Sequence, residues 1–429
     1  VIYTFTPPVS ATRQLGDPMI QPTVQTPALD ALDARETSVT SPPPSPIVKE
    51  PQTAPQNILN AGLKTPPRGR LAPFMNNKHP AARALLTQGW AIMRICHEQD
   101  AKDLAAGQWT DLESLGTGIN RNDPKTWTNE QWPQTTHGLL QNQGVGLWEG
   151  VCQARLKTWT FWKAIFGNAD IICSFDAVSI ARPDSQKRAW NKERVHQANS
   201  NESKLLASWA HTDQAKAKTQ CLHHIQGALA LTSLGEAEQR TQLVVPPEGE
   251  TMQSFRDRFL AEFPPSAPIK GKFDPERAEW VMHSTAERAW LIENGRIIAP
   301  TLEPGEMLLW DSGMPHASIP GPLPGYGQAE RAVRMSTFVS ALPIQLVDAA
   351  DIAVRKQMLE KGVTSGHRVT AKGTNKPYLE CKFANTGRTF GKALPSFKMD
   401  RKVSGFKRAF EEGDTESTAY KIAKMCGGY

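Results

Sequence analysis

Three side chains in this sequence have the types and spacing of metal ligands. His211 and Asp213 lie in SWAHTDQ, and His316 lies in EPGEMLLWDSGMPHASIP. Residues i and i+2 of a strand project to the same face, so the imidazole of His211 and the carboxylate of Asp213 can converge on one ion. His316 follows a short turn after the apolar run Met307–Trp310 and offers a third ligand. Two histidines and one carboxylate make the facial set of non-haem Fe(II) centres, which leaves positions open for other ligands. His-x-Asp alone is a weak signal in a chain with ten histidines; the weight comes from the ordered set. Downstream, ERAVRMSTFVS places Arg334 and Ser336 on one face of a strand-like run. A planar guanidinium grips a carboxylate through two parallel bonds, and a hydroxyl adds a third, which suits the far end of a keto-acid co-substrate. Arg331 competes with Arg334 for that role.

Holding these groups requires strands, and the sequence supplies them after Gly167. DIICSFDAVSIARP, CLHHIQGALALTSL, TQLVVP, RIIAP, GEMLLWDS and RMSTFVSALP are short β-type runs separated by Gly, Pro and Glu turns. No phosphate-binding glycine motif and no regular strand–helix alternation is present. Upstream, PAARALLTQGWAIMRICHEQDAKDLAA carries Leu85, Leu86, Trp90, Met93 and Cys96/His97 at helical spacing, so one helix is expected there. GLWEGVCQARLKTWTFWKAIFG has an apolar stripe from Trp148 to Phe166 and predicts a second helix, its tryptophans serving the core. IQLVDAADIAVRKQMLEKG predicts a helix after Pro343. The expected fold is mainly β with flanking helices, a jelly roll or barrel against a helical buttress.

In its motifs and their order the chain resembles the double-stranded β-helix 2-oxoglutarate/Fe(II) dioxygenases of the phytanoyl-CoA dioxygenase type. More narrowly, it is similar to a group common in fungi and also met in viruses. The resemblance rests on LWEGVCQAR (147–155), SFDAVS (174–179), HTDQ (211–214), IQG (225–227), GEMLLWDSGMPH (305–316), and Arg334 followed nine residues later by Pro343. It covers about residues 145–345. It implies a double-stranded β-helix (jelly-roll) core with His211, Asp213 and His316 as iron ligands and Arg334 as the anchor for 2-oxoglutarate, and it makes Ser336 and Gln226 members of the co-substrate pocket. The Pro343 offset and the Arg-x-Ser pattern favour Arg334 over Arg331. The activity implied is hydroxylation or demethylation of a substrate that the sequence does not name, with release of succinate and CO2. The chain departs from the group's pattern between Asp213 and His316, where TSLGEAEQRTQLVVPPEGE replaces its usual turns. That departure bears on the substrate pocket and leaves the iron set intact.

Outside this region the chain changes character. Residues 1–76, with SPPPSPIVKEPQTAP at their centre, are too poor in apolar surface to offset their ordering entropy and are expected as an extended or disordered arm. Residues 77–362 are expected as the oxygenase-like domain and 363–429 as a basic extension. From Ala353 to Tyr429 there are 16 Lys and Arg against 7 Asp and Glu, so the net charge of +6 belongs to that end. The extension is a candidate contact for a polyanion or nucleic acid, and the arm for a protein partner in an assembly. A non-catalytic structural or assembly protein built on a dioxygenase-like fold, capsid- or virion-associated, is the alternative expectation. The six cysteines are scattered without a CxxC, and no apolar run reaches membrane-spanning length, so a cytoplasmic or other reducing compartment and no membrane partner are expected. His223 and His224, being adjacent on a strand, point to opposite faces and are expected to be structural. Asp176 and Arg182 are expected to line the pocket or to pair, and Asp311 to brace the turn before His316.

Overall fold

A computed structural model describes residues 71–128, 130–133, 139–140, 144–182, 206–207, 209–214, 221–235, 240–265, 281–319, 333–360, 364–367, 369 and 418–427. All of them fall in the compact unit Thr53–Tyr429. Most of the arm and most of the basic extension lie outside the described residues, and with them the expectations about protein and polyanion partners.

Twelve described strands form two antiparallel sheets. The larger contains β1 (Trp90–Arg94), β2 (Leu139–Leu140), β3 (Ile171–Cys173), β4 (Val178–Ala181), β6 (Ile225–Ala230), β10 (Glu306–Asp311) and β12 (Arg334–Pro343), in the order β1-β10-β6-β12-β4-β2 with β3 also on β12. The smaller contains β5 (His211–Thr212), β7 (Arg240–Val245), β8 (Val281–Met282), β9 (Arg296–Ile298) and β11 (His316–Ile319), in the order β8-β5-β11-β7-β9. The described helices are α1 (Pro80–Thr87), α2 (Glu98–Glu113), α3 (Glu149–Ile165), α4 (Met252–Glu262), α5 (Thr285–Asn294), α6 (Ala349–Glu360) and α7 (Thr418–Ile422).

Strand alternation divides the core in two. On β6, Ala228 and Ala230 join Leu308 and Trp310 of β10 and Phe338 of β12 in a cluster with Leu243 of β7 and Ala317 of β11. This cluster lies between the sheets. The opposite face of the same strands, with Ile225, Leu229, Met307, Leu309 and Val339, packs with Val151, Trp162 and Ile165 of α3. Gly227 sits under that helix, where a Cβ would meet Trp162 at 3.2 Å and Met307 at 3.0 Å. Residues 226, 228 and 230 and residues 334, 336, 338 and 340 therefore all face the smaller sheet, since Ser336, Phe338 and Ser340 pair with Ala230, Ala228 and Gln226.

The single helix expected over 80–106 is instead helix, strand, helix. Gly89, at φ +83°, ends the first helix in the left-handed region, and Trp90–Arg94 then pairs with β10, Trp90 opposite Trp310. The apolar spacing fitted a helix, but pairing with a strand remote in sequence decided the outcome. The run DIICSFDAVSIARP forms two strands, β3 and β4, broken at SFDA. Helices α4 and α5 were not anticipated, although the Ser284/Glu287 capping box at the start of α5 is a sequence signature.

Packed residues also occur on both sides of the span 77–362. Leu71 is fully buried and its N–H donates to the Leu222 carbonyl, so the packed structure includes the last residues of the expected arm. At the other end, Ile422, Met425 and Cys426 are fully buried. The guanidinium of Arg355 on α6 donates to the carbonyls of Cys426, Val369 and Cys173 and lies 4.9 Å from the Phe175 ring centroid. Truncation after residue 417 removes three buried apolar side chains and the Cys426 carbonyl to which the buried Arg355 donates. It is expected to cost more than about 4 kcal/mol, read as a lowered urea midpoint. An unchanged midpoint would show that the terminal segment is dispensable.

Candidate metal centre

Strands β5 and β11 run antiparallel with His211 directly opposite His316. The strand ends at Thr212, and Asp213 follows in a bend whose N–H donates to the Ser312 carbonyl at 3.0 Å. That bond ties the HTD stretch to the turn preceding β11. The three ligand atoms lie within 4.8 Å of one another, and all three residues are buried. Between them, His316 Nε2 is 3.0 Å from Asp213 Oδ2 and His211 Nε2 is 3.6 Å from Asp213 Oδ1.

The orientation of each ring is fixed from behind. Nδ1 of His211 lies 3.1 Å from the Trp209 carbonyl, and Nδ1 of His316 lies 2.8 Å from the Met314 carbonyl. A carbonyl can only accept, so each Nδ1 carries the proton and each Nε2 lone pair is directed at the shared centre. The Trp209 ring stacks on His211 with centroids 5.0 Å apart, and the Trp310 ring lies 5.5 Å from His316. Burial, together with the neighbouring His316, lowers the His211 pKa to about 3, so this imidazole is neutral at physiological pH. Burial alone would raise the Asp213 carboxyl, but the His367, His211 and His316 rings around it hold it well below the usual carboxylate range. The centre therefore presents the neutral His211 imidazole, the ionised Asp213 carboxylate and the ring of His316, the donor set that a divalent first-row metal takes.

Support comes from the larger sheet and from α4. Gln226 on β6 donates its Nε2 to Asp213 Oδ2 at 2.8 Å, bridging the larger sheet to the centre. Asp311, at the end of β10, accepts from Gly313 N at 2.8 Å with Oδ1 and forms a buried ion pair with Arg256 of α4 through Oδ2. These bonds shape the turn that delivers His316.

Arg334 occupies the inter-sheet face of β12. It is 3% exposed, and none of its three guanidinium nitrogens has a hydrogen-bond partner among the described residues. Ser336 Oγ, on the same face, is also buried and without a partner there. Burial lowers the Arg334 pKa only to about 10, so the side chain remains a cation at neutral pH. Its rival Arg331 lies outside the described residues.

The other expected residues have different roles. Arg182 donates to the Trp127 carbonyl and lies over the Trp132 ring, 5.3 Å from its centroid. Asp176 accepts from Ala177 N at 2.6 Å, and burial raises its pKa to about 6 against the opposing influence of His367. His223 Nε2 lies 3.2 Å from Cys221 Sγ, and neither it nor His224 belongs to the compact ligand set. Sequence reasoning missed Arg256, which carries no spacing signal, and His367, whose Nε2 lies 3.3 Å from Asp213 Oδ1.

No protein-family model matches the chain, and no curated protein matches it in sequence. Among solved structures, it is similar to the epimerase SnoN in complex with Fe3+, alpha ketoglutarate and nogalamycin RO, at 11% identity over 61% of this chain and 82% of that one, with a TM-score of 0.34. It is similar to EctD from S. alaskensis with 2-oxoglutarate and 5-hydroxyectoine, at 11% identity over 61% and 75%, with a TM-score of 0.33. It is similar also to AviO1 from Streptomyces viridochromogenes Tue57, at 13% identity over 61% and 92%, with a TM-score of 0.31. The functional reading rests on the geometry of this chain.

The Arg256–Asp311 pair generates a direct test of the brace. Replacing Arg256 with Met leaves a buried carboxylate uncompensated and is expected to destabilise the protein by about 3–5 kcal/mol. Asp311→Asn keeps the acceptor for Gly313 N, so the double variant should recover most of the loss. Equal stability of the single and double variants in urea unfolding would rule out the pair as the brace.

Proposed function

We propose that the chain is an Fe(II)/2-oxoglutarate-dependent oxygenase on a double-stranded β-helix core, hydroxylating or demethylating an unidentified substrate with release of succinate and CO2. The observation that carries this reading is the buried Arg334, with no acceptor among the described residues, on the sheet face that also supplies Gln226 to the His-Asp-His centre. A guanidinium withdrawn from water without an acceptor costs several kcal/mol. An incoming carboxylate offsets that cost through bidentate, charge-assisted bonds, with Ser336 Oγ placed to add another. A dicarboxylate keto acid meets both requirements, since one end can reach the metal while the other meets Arg334.

In this reading His211, Asp213 and His316 hold the metal and Gln226 orients Asp213. Iron, when bound, supplies activation of O2 and the oxidising power that the side chains lack. Trp209 and Trp310 flank the two imidazoles and keep water from them, which strengthens every charge interaction inside. In a purely structural protein Arg334 would be a cost with nothing to offset it, so the assembly alternative has no feature here that favours it. No described helix is long and apolar enough to cross a membrane.

Arg334→Met separates binding from folding by the sign of its effects. It removes a buried cation, so the stability of the metal-free protein should be unchanged or higher. Affinity for 2-oxoglutarate should fall by about 30-fold or more, the equivalent of losing about 2–5 kcal/mol of a buried charge pair. Metal affinity should change less than about twofold, since Arg334 is not among the ligands. Calorimetric titration of both variants decides the matter: unchanged 2-oxoglutarate affinity in the variant would remove Arg334 from the pocket.

A further inference from the structure

The chain beyond α6 returns to the metal centre by a built path. Thr364 and Ser365 are buried. Gly146 N donates to Thr364 Oγ1 at 3.1 Å, Phe175 N donates to Ser365 Oγ at 3.0 Å, and Ser365 N donates to the Phe175 carbonyl at 3.0 Å. The groove that receives them is equally fixed. Arg155 of α3, fully buried, donates to the carbonyls of both Gly146 and Asp176. Only glycine fits at 146, because a Cβ there would lie 1.8 Å from the Phe175 oxygen. Arg155 closes the LWEGVCQAR motif, and Phe175 and Asp176 belong to SFDAVS. Neither motif supplies a member of the compact ligand set.

Two residues past Ser365, His367 Nε2 lies 3.3 Å from Asp213 Oδ1. The other oxygen of that carboxylate, Oδ2, takes the Gln226 amide and faces His316. Asp213 is thus flanked on both sides, by the hydrogen-bonded Gln226 amide on a strand of the larger sheet and by the His367 ring at ion-pair distance. His367 does not itself belong to the compact set of ligand atoms formed by His211, Asp213 and His316.

We propose that His367 is a positioning residue for Asp213, and that the C-terminal segment carrying it is an integral part of the metal centre. The two motifs seat that segment, and the segment sets the carboxylate's orientation. The inference rests on the reading of His211, Asp213 and His316 as metal ligands. It does not depend on 2-oxoglutarate or O2 chemistry. Groups that orient a ligand from behind typically contribute 10–100-fold to metal affinity.

The test uses the full chain and Co(II) alone, without 2-oxoglutarate, reading both the dissociation constant and the ligand-field absorption of bound Co(II). His367→Ala is expected to weaken Co(II) about tenfold or more and to alter the absorption, since Asp213 is then free to rotate. His367→Gln keeps an N–H donor and should return affinity and spectrum most of the way to wild type. Ser365→Ala, which loses the bond from Phe175 N, should fall between, and it carries the test should His367→Ala fail to fold. Wild-type affinity and spectrum in His367→Ala, or no recovery in His367→Gln, would overturn the proposal and leave the metal centre standing. A wild-type chain that takes up no Co(II) would overturn the metal reading and this inference together. Normal Co(II) behaviour throughout, with no response to 2-oxoglutarate, would fault only the oxygenase reading.

Discussion

Everything at the candidate site depends on one cross-strand pair, His211 opposite His316 in the β5–β11 ladder. Residues directly opposed in an antiparallel pair project to the same face, which brings two imidazoles far apart in sequence to a ring separation of 4.4 Å. A shift of one residue in that register would send one ring to the other face of the sheet and destroy the site. The ladder here is only two residues long on the β5 side, too short to fix its own register. The surrounding contacts take over that task. Asp213 N bonds to the turn before β11, β11 pairs along its length with β7, and the Arg256–Asp311 ion pair with the Gly313 bond shapes the turn itself.

The electrostatics follow from the same burial. Desolvation keeps His211 neutral, while neighbours led by His367 hold the Asp213 carboxyl well below the usual range, so the centre carries its negative charge on one carboxylate. Arg334 is a buried cation for which no described side chain provides an acceptor. A buried carboxylate with no cation bound and a buried cation with no anion bound are both costly. In the proposed reading, a metal and a dicarboxylate entering together offset both costs.

The clustering of His211, Asp213 and His316 and the strand that carries Arg334 were legible because type and spacing act locally there. HTDQ, GEMLLWDSGMPH and RMSTFVSALP each carry their alternation within a few residues, and β10 and β12 follow those runs. What the sequence concealed was set by contacts between remote segments. Trp90–Arg94 has a spacing that fits a helix, and only its pairing with β10 makes it a strand. His367 sits in a stretch whose basic composition suggests a solvated extension, yet hydrogen bonds to Gly146 and Phe175 draw it inward. Arg256 looks like any charged residue on an amphipathic helix until Asp311 is placed beside it. The capping box of α5 was present in the sequence and passed unread.

The central claim is that one site binds iron and a keto acid together and turns them over. The most direct measurement is an anaerobic titration of the full chain with Fe(II) and then 2-oxoglutarate, followed by admission of O2 and quantification of succinate. The account predicts stoichiometric iron uptake and 2-oxoglutarate binding that tightens when iron is present. It also predicts succinate formed in step with 2-oxoglutarate consumed, all lost in His316→Ala. A chain that binds no iron, or that binds both and yields no succinate on exposure to O2, would contradict it.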